Sequence, residues 1–307
     1  MAKLLSRVLW HANRTPAGSL IKAALSAVNW REVSARRRLA RDLAISPEAE
    51  VRARELNRDG YAMINDLVDP ALLTAMVDEG GRKYSRAEDL RARQATSHKS
   101  FWIRLLDEDV VDGKLPADNV FVRFATQPKV IQMLTRALGT VPQLSDVLLT
   151  LSEESNKQLV YSQLWHRDFD DTRTLKVFVY LTDVPSTEFG PFTFIPGPES
   201  DRFGRSIKSH MADEVVFNRT PRNAVREMKS ARATAFVVET SRCLHMGSRM
   251  TPGHHRLLYT ATFVTVPRPY VEPPPRFTRR GELDTLTETV LFTRENLPLS
   301  PQGRRAD

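Results

Sequence analysis

Four apolar runs after about residue 143 constrain the fold of the chain more than any other feature. Glycine and proline turns separate them, and they read DVLLTL, LKVFVYLTDV, TAFVV and RLLYTATFVTV. Runs rich in β-branched and aromatic residues between such turns are typical of strands. The segments before them have helical patterns instead. The sequence therefore predicts an α+β fold in which N-terminal helices pack against an antiparallel β core.

Several helix boundaries are also predicted. Ser46 followed by Pro47 indicates a helix start, with serine as the N-cap and proline at the first helical position. Asp69 before Pro70 indicates a second start. Gly139 is expected to end the helix PKVIQMLTRAL, and the C-terminal tail contains one more helical stretch, LDTLTETVLF.

Composition limits the classes of protein to which the chain can belong. With 307 residues and 41% hydrophobic content, it can bury a sizeable core without disulfide bonds. The single cysteine, Cys243, excludes a disulfide framework or a cysteine zinc site within one chain and favours a reducing compartment. No apolar run has the length of a membrane span and no signal-peptide pattern is clear, so we expect a cytoplasmic protein.

The N-terminal extension, residues 1–46, is basic and partly amphipathic. The first 50 residues hold nine lysines and arginines against four acids, within an overall formal charge of +8. Three interpretations follow: a helix docked on the β core, a peripheral contact with an anionic membrane, or a targeting segment. In the docked interpretation, the extension covers the core with its apolar residues Leu4, Val8, Leu20, Leu25 and Val28.

The motif that carries chemistry is QLWHRDFDD at residues 163–171. On a strand, side chains alternate between two faces, so His166 and Asp168 would point one way and Trp165 the other, into the core. An imidazole and a carboxylate on one face can share a divalent metal ion. The tripeptide also fits an ordinary polar strand end, so a third ligand must decide between the two interpretations.

The third ligand is sought among the downstream histidines, which are His210, His245, His254 and His255. CLHMG and HRLLYTATFV have strand patterns, and SRMTPG between them has the residues of a turn. This pattern predicts a hairpin in which His245 lies just before the turn and Arg256 just after it. Both side chains would then project into one cavity.

His166, Asp168 and His245 would form a triad of two histidines and one carboxylate. This arrangement leaves open positions on a metal and is typical of non-haem Fe(II) oxygenases. Arg256 offers a planar fork that matches a carboxylate, so we predict that it binds the far carboxylate of a keto-acid that chelates the iron. The alternative for Arg256 is a surface arginine with no such role.

These features resemble the phytanoyl-CoA dioxygenase family of Fe(II)/2-oxoglutarate oxygenases. The resemblance is carried by Trp165-His166-Arg167-Asp168, by GPFTFIPG, and by His245 with Arg256 eleven positions later. DGYAMINDLVDPALL and QPKVIQMLTRALG in the first half add to it. The resemblance implies a double-stranded β-helix, or jelly roll, with Fe(II) near its mouth and with 2-oxoglutarate and O2 as co-substrates.

The resemblance covers most of the chain but departs from the family in places. We expect an oxygenase domain over residues 47–267 and a tail rich in proline and charge over 268–307. Ser-His often follows the Pro-Gly in the family, where this chain has Pro-Glu, and Gly-Asp often stands where it has SARAT. A hydroxyl commonly lies two residues after the distal histidine, where this chain has Gly247, with Ser248 next.

The resemblance also implies a reaction. A substrate would be hydroxylated while 2-oxoglutarate is converted to succinate and CO2. Asp168 favours hydroxylation, or a related desaturation or epoxidation, over halogenation, because halogenases of this fold have a small residue at this position, which frees a site for chloride. The alternative is a jelly-roll protein that binds a metal or ligand, or regulates, without turnover.

The substrate is predicted from a long basic loop, residues 198–232. In this family such loops often overhang the active site, so a basic lid favours an anionic substrate, either a small molecule or a lipid-linked one. A solvated loop is the alternative. Its basic residues are Arg202, Arg205, Lys208, Arg219, Arg222, Arg226, Lys229 and Arg232. No zinc-finger, RNP-like or helix-turn-helix pattern accompanies the charge, so we expect no nucleic-acid partner.

Overall fold

Helices precede the β core, as predicted. The computed structural model describes residues 11–13, 15–87, 102–153, 159, 161–204, 210–268 and 276–293. The helices before the core are α1 (Ala17–Val28), α2 (Trp30–Asp42), α3 (Pro47–Asp59), α4 (Pro70–Tyr84), α5 (Val120–Ala125) and α6 (Pro128–Leu138). Shorter helices follow, namely α7 (Gly197–Ser200), α8 (Asp213–Phe217) and α9 (Thr285–Leu291). None of the helices in these ranges is long and apolar enough to cross a membrane.

The predicted helix boundaries are confirmed. Ser46 Oγ accepts a hydrogen bond from Ala49 N at 3.3 Å at the start of α3. Asp69 Oδ1 accepts one from Ala71 N at 2.8 Å at the start of α4. Helix α6 ends at Gly139, whose φ of +69° is a left-handed conformation that glycine adopts without strain from a Cβ atom.

Two antiparallel sheets form the jelly roll. The six-stranded sheet has the order β1 (Tyr61–Met63), β10 (Ala235–Glu239), β6 (Thr174–Tyr180), β12 (His255–Val264), β4 (Gln143–Glu153) and β2 (Trp102–Arg104). The five-stranded sheet has the order β8 (His210–Met211), β5 (Trp165–His166), β11 (His245–Met246), β7 (Thr193–Phe194) and β9 (Arg226–Glu227). A parallel pair joins β13 (Phe277–Thr278) to β3 (Leu115–Pro116).

The large sheet separates two apolar layers. On β6, Val177 packs in the main core together with helix residues such as Leu56. Phe178, the next residue, packs instead with Phe194 of the five-stranded sheet. This alternation has the period of two that a strand imposes, and it explains why LKVFVY is apolar on both faces.

The predicted hairpin between His245 and Arg256 is wrong. Strand β11 pairs with β5 and β7 in the five-stranded sheet, whereas β12 pairs with β4 and β6 in the six-stranded sheet. The segment between these strands therefore crosses from one sheet to the other. Pro252 and Gly253 do predict a change of direction, but they do not determine which strand lies alongside, because pairing depends on contacts distant in sequence.

A buried cation in α2 binds the backbone just before β4 and just after α9. Arg36 of α2 is only 1% exposed. Its guanidinium donates hydrogen bonds to three backbone carbonyls, those of Val141 at 3.3 Å, Pro142 at 3.1 Å and Phe292 at 2.8 Å. The Nε atom pairs with Glu32 at 2.7 Å. Carbonyl acceptors and one carboxylate thus compensate this buried charge.

Two of the apolar residues that were expected to face the core, Leu20 and Val28, face solvent instead, while Leu25 is half-buried. Leu20 is 75% exposed and Val28 is 79% exposed, and Trp30, at the start of α2, is 59% exposed. Leu4 and Val8 lie outside the described residues. Helical spacing predicts correctly that residues share a face, but it does not predict what that face contacts.

Candidate metal centre

Two histidines meet in the five-stranded sheet. His166 on β5 and His245 on β11 are direct partners in an antiparallel pair, and Phe194 on β7 flanks His245 on the other side. Directly opposed residues point to the same face, so both imidazoles project into the interior of the jelly roll. Their ring centroids lie 4.2 Å apart.

Asp168 completes the cluster from the loop after β5. Its backbone N donates to Thr240 O at 3.0 Å, which ties the loop to the end of β10. Its carboxylate lies 4.0 Å from His166 Nε2 and 3.7 Å from His245 Nε2. One ligand atom from each of the three residues lies within 4.8 Å of the other two. Strand β5 ends at His166, so the loop, rather than strand alternation, brings Asp168 to this face.

Trp165 is buried, as predicted. It is 0% exposed and packs with Ile195 and Leu244 in a separate apolar cluster. Its indole Nε1 donates to Asp213 Oδ1 at 2.9 Å, which satisfies the polar end of the ring. The face of β5 opposite the cluster is therefore part of the core.

Backbone carbonyls fix the tautomers of both histidines. His166 Nδ1 lies 2.8 Å from Leu164 O, and His245 Nδ1 lies 2.9 Å from Cys243 O. A carbonyl can only accept, so Nδ1 carries the proton in each ring and Nε2 presents its lone pair. This second hydrogen bond is the usual way in which a protein orients a metal-ligating imidazole.

The histidines are neutral at pH 7. Burial lowers the pKa of His166 to about 3, with a smaller contribution from the neighbouring His245. Burial also lowers the pKa of His245. Neutral imidazole is the form that binds a metal ion, so the electrostatics of the site agree with its geometry.

Asp168 is ionised. Burial raises the pKa of its carboxyl, but Lys176 and, after it, the two histidines lower it more strongly, and the net pKa lies well below its usual value. Lys176 Nζ lies 2.7 Å from Asp168 Oδ2. Sequence reasoning missed this neighbour, since nothing in the pattern of β6 links Lys176 to the loop that precedes the strand.

Arg256 approaches from the opposite sheet. It is 2% exposed, and its guanidinium donates to the Gly190 carbonyl and, at 3.0 Å, to Ser248 Oγ. Arg256 Nε has no hydrogen-bond partner, and no described carboxylate lies within ion-pair distance of the guanidinium. Burial lowers its pKa. A buried cation with an unused donor has the chemistry of a site for an anionic group.

The space beside this guanidinium depends on Gly247. A Cβ atom built on Gly247 would lie 3.8 Å from Arg256 Nη2 and 4.0 Å from Nη1. A longer side chain at this position would therefore cover the cation. The next residue, Ser248, supplies the hydroxyl, and it also accepts from Trp102 Nε1 at 2.8 Å and contacts Ser152 Oγ at 3.1 Å.

The other histidines considered lie outside the cluster. His210 on β8 is paired with His166, with ring centroids 5.4 Å apart, but it is not part of the three-residue group. His254 contacts Thr251 Oγ1 at 3.0 Å. His255 begins β12, and its ring stacks on that of Tyr84.

The inner face of the large sheet adds polar groups beside the triad. Thr262 on β12 lies directly opposite Asp146 on β4 and, on its other side, Lys176 on β6. The three side chains therefore point to the same face of the sheet, the face on which Lys176 contacts Asp168. Burial raises the pKa of the carboxyls of Asp146 and of Asp170, a loop residue. Hydrogen-bonding and charged groups thus line the interior next to the triad.

The basic loop makes mostly local or solvent contacts in its described part. The Arg222 guanidinium lies 4.0 Å from the centre of the Phe217 ring. Lys229 pairs with Glu227 at 2.6 Å. Arg205 and Lys208 lie outside the described residues. No described contact links the loop's cations to the triad, so an anionic substrate stays a prediction.

The fold and the cluster define a class of protein, a jelly roll with two histidines and an aspartate facing its interior. The family model for Phytanoyl-CoA dioxygenase (PhyH) matches residues 56–236, more than half of the chain. The chain belongs to the phytanoyl-CoA dioxygenase family. It is accordingly an Fe(II)/2-oxoglutarate-dependent enzyme, with Fe(II) as cofactor and 2-oxoglutarate and O2 as co-substrates.

Solved structures of EctD share the fold. EctD from S. alaskensis with bound Fe is 16% identical, over 77% of this chain and 82% of that one, with a TM-score of 0.51. EctD with 2-oxoglutarate and 5-hydroxyectoine is 17% identical, over 79% and 86%, with a TM-score of 0.50. The non-heme alpha ketoglutarate dependent epimerase SnoN from nogalamycin biosynthesis is 19% identical, over 71% and 83%, with a TM-score of 0.47. Comparison with curated proteins gives no match.

Proposed function

We propose that this enzyme hydroxylates a small molecule and that His166, Asp168 and His245 hold its iron. The observation that carries the proposal is the convergence of two neutral Nε2 lone pairs and one carboxylate within 4.8 Å. When bound, Fe(II) with 2-oxoglutarate supplies the activation of O2, which places one oxygen atom in succinate and the other in the product. The chain's own residues hold and orient the reactants.

Arg256 would bind the far carboxylate of 2-oxoglutarate. Its Nε atom is unpaired and its Nη atoms already point toward Gly190 O and Ser248 Oγ, so the guanidinium is held before the acid arrives. Gly247 leaves the approach to Nη1 and Nη2 uncovered. A fixed cation in a buried site binds a carboxylate with little rearrangement.

Hydroxylation is proposed because Asp168 is the third protein ligand of the proposed iron site, beside the two histidines. In halogenases of this fold a small residue stands there and leaves room for chloride. Asp168 is held by Thr240 O through its backbone and faces both histidines, so its carboxylate fills that room.

The substrate is proposed to be a polar small molecule. Asp146, Lys176 and Thr262 offer hydrogen bonds on the wall next to the triad. Asp146 also borders a cavity of about 60 Å³, which two arginines, Arg104 and Arg276, and a second acid, Asp107, line as well. Polar groups in such a site determine orientation and specificity.

The first prediction concerns the metal. Asp168→Ala should weaken Co(II) binding, followed by visible absorption, by at least about 100-fold, because the loss of a ligand exceeds the 10–100-fold effect of the residues that support ligands. Asp109→Ala is the matched control, since Asp109 pairs with a lysine, Lys83, at 2.6 Å but is not part of the cluster, and it should bind Co(II) as the wild type does. Wild-type affinity in Asp168→Ala would contradict the assignment.

The second prediction concerns the keto-acid. Arg256→Ala should weaken 2-oxoglutarate binding to the metal-loaded protein by roughly 30- to 150-fold, or about 2–3 kcal/mol, since one charge-assisted contact is lost. Metal affinity should change little. Arg249→Ala is the control, because Arg249 pairs with Asp213 at 2.8 Å. A loss of 2-oxoglutarate binding in the control and not in Arg256→Ala would reassign the anchor.

The third prediction concerns the reaction. With Fe(II), 2-oxoglutarate and a panel of small metabolites, the protein should release succinate and form a product that has gained one oxygen atom. With labelled O2, mass spectrometry should find the label in both products. A protein that binds metal and 2-oxoglutarate normally but releases no succinate with any compound would favour the alternative, a binding or regulatory role without turnover.

A peripheral membrane contact of the N-terminal extension is a second proposal, favoured by the exposure of Leu20, Val28 and Trp30. The Arg31 guanidinium lies 5.7 Å from the centre of the Trp30 ring, so apolar and cationic groups share this surface. Such a mixture suits an anionic bilayer interface. The substrate would then be a lipid-linked molecule.

The fourth prediction tests this surface. The full chain should sediment with phosphatidylserine vesicles and not with phosphatidylcholine vesicles, and the double variant Leu20→Ser, Val28→Ser should lose the binding while it keeps its melting temperature. Both residues are exposed, so the fold does not depend on them. Failure of the wild type to sediment at physiological salt would sink the membrane proposal.

A further inference from the structure

The loop that carries Asp168 is held from outside the jelly roll. This loop, residues 167–173, connects β5 to β6. Asn13, in the N-terminal extension, donates from Nδ2 to the Phe169 carbonyl at 2.8 Å. Phe169 directly follows Asp168, so this hydrogen bond acts on the backbone next to one of the three cluster residues.

A buried carboxylate in the same loop makes a second connection. Asp171 is 1% exposed, and its Oδ1 pairs with Lys22 Nζ of α1 at 2.8 Å. Its Oδ2 accepts from Thr265 N at 2.8 Å and from Thr265 Oγ1 at 2.6 Å. Lys22 Nζ also donates to Thr265 O at 3.0 Å. Lys22 thus joins the loop to the end of β12.

The local sequence of the extension allows this contact. Asn13 is 2% exposed and lies against Gly18 at the start of α1. A Cβ atom on Gly18 would lie 2.8 Å from Asn13 Cα and 2.8 Å from Asn13 Oδ1, which is closer than real Cβ atoms come. Glycine at this position therefore lets the turn before α1 fold tightly enough for Asn13 to reach the loop.

We infer that the N-terminal extension is part of the metal site, with Asn13 and Lys22 as positioning residues that hold the 167–173 loop so that Asp168 faces His166 and His245. The inference rests on the proposed metal ligands. The extension precedes the region that the family model matches, residues 56–236.

The physical reason lies in where the loop is held. The side chains of Arg167 and Arg173 fix its two ends, on Arg242 O and on Glu239, whereas Asn13 and Lys22 act on the residues between those ends. Its own backbone is tied to the sheet by Asp168 N and Thr240 O. Without Lys22, the Asp171 carboxylate would remain buried without its cation, and such a group draws in water or moves toward solvent. Movement of Asp171 displaces Asp168, three residues away on the same loop. Ligand geometry tolerates only small displacements before affinity falls.

The experiment compares four variants of the full chain by Co(II) titration and by thermal unfolding. Lys22→Met and Asn13→Ala should each weaken Co(II) binding by roughly 10- to 100-fold, the range for residues that support ligands, and should change the visible spectrum of the bound ion. Lys22→Arg should keep the wild-type affinity for Co(II), because it keeps a cation at this position.

Arg36→Met is the matched control. Arg36 is the other buried cation of the extension, but its partners are Glu32 and the carbonyls of Val141, Pro142 and Phe292, outside the loop. This variant should lower the melting temperature and leave Co(II) affinity unchanged. Where Lys22→Met does not fold, Asn13→Ala decides, since it removes one neutral hydrogen bond and no charge.

Two results would overturn the inference and are distinguishable. Lys22→Met and Asn13→Ala with lowered melting temperatures but wild-type Co(II) affinity and spectrum would show that the extension only stabilises the fold. A wild type that binds no Co(II), or an Asp168→Ala variant that binds it equally well, would instead remove the proposed metal site, and the inference with it.

Discussion

The antiparallel pairing of His166 with His245 is the contact on which the site depends. Both strands are only two residues long, so the pairing is held largely by what lies behind it. Trp165 and Leu244 point away from the imidazoles into one apolar cluster. A slip of one residue would exchange the two faces and move the imidazoles into that cluster. The buried indole therefore fixes the register that brings the two Nε2 atoms together.

Charged groups inside the jelly roll are the second constraint. Asp168 lies against Lys176, whereas Arg256 has only neutral partners among the described residues. Removing such groups from water is unfavourable unless partners compensate for the lost hydration. The buried charge of Arg256 has no carboxylate partner among the described residues. In the proposed role of this residue, 2-oxoglutarate would supply that carboxylate. In this account the interior is arranged for its ligands as much as for stability.

The parts of the structure that were predicted from the sequence are local or periodic. The cap at Ser46 and the helix end at Gly139 follow from single residues, and the strands of the core follow from β-branched runs. The prediction of a hairpin at His245 was wrong because a turn does not determine which strand pairs with the one before it. The prediction that Leu20 and Val28 of α1 face the core was wrong for a related reason. An apolar stripe on a helix does not show which part of the protein, if any, packs against it.

The contacts that could not be predicted from the sequence are polar, and they join residues that are far apart along the chain. Lys22 and Asp171 are separated by 149 positions, and neither belongs to a motif. Lys176 belongs to an apolar strand, and only the fold brings it to Asp168. Such pairs have no periodicity, so a single sequence carries no signal for them. The triad could be predicted from the sequence because His-x-Asp and a later histidine fit known metal chemistry and a known family.

The most direct test of the account is a crystal structure of the full chain prepared without oxygen in the presence of Fe(II) and 2-oxoglutarate. It should show one iron bonded to Nε2 of His166, Nε2 of His245 and a carboxylate oxygen of Asp168, with the far carboxylate of 2-oxoglutarate on Arg256. Iron bound through Nδ1, iron bound at His210 in place of one of the three, or 2-oxoglutarate held away from Arg256 would contradict it.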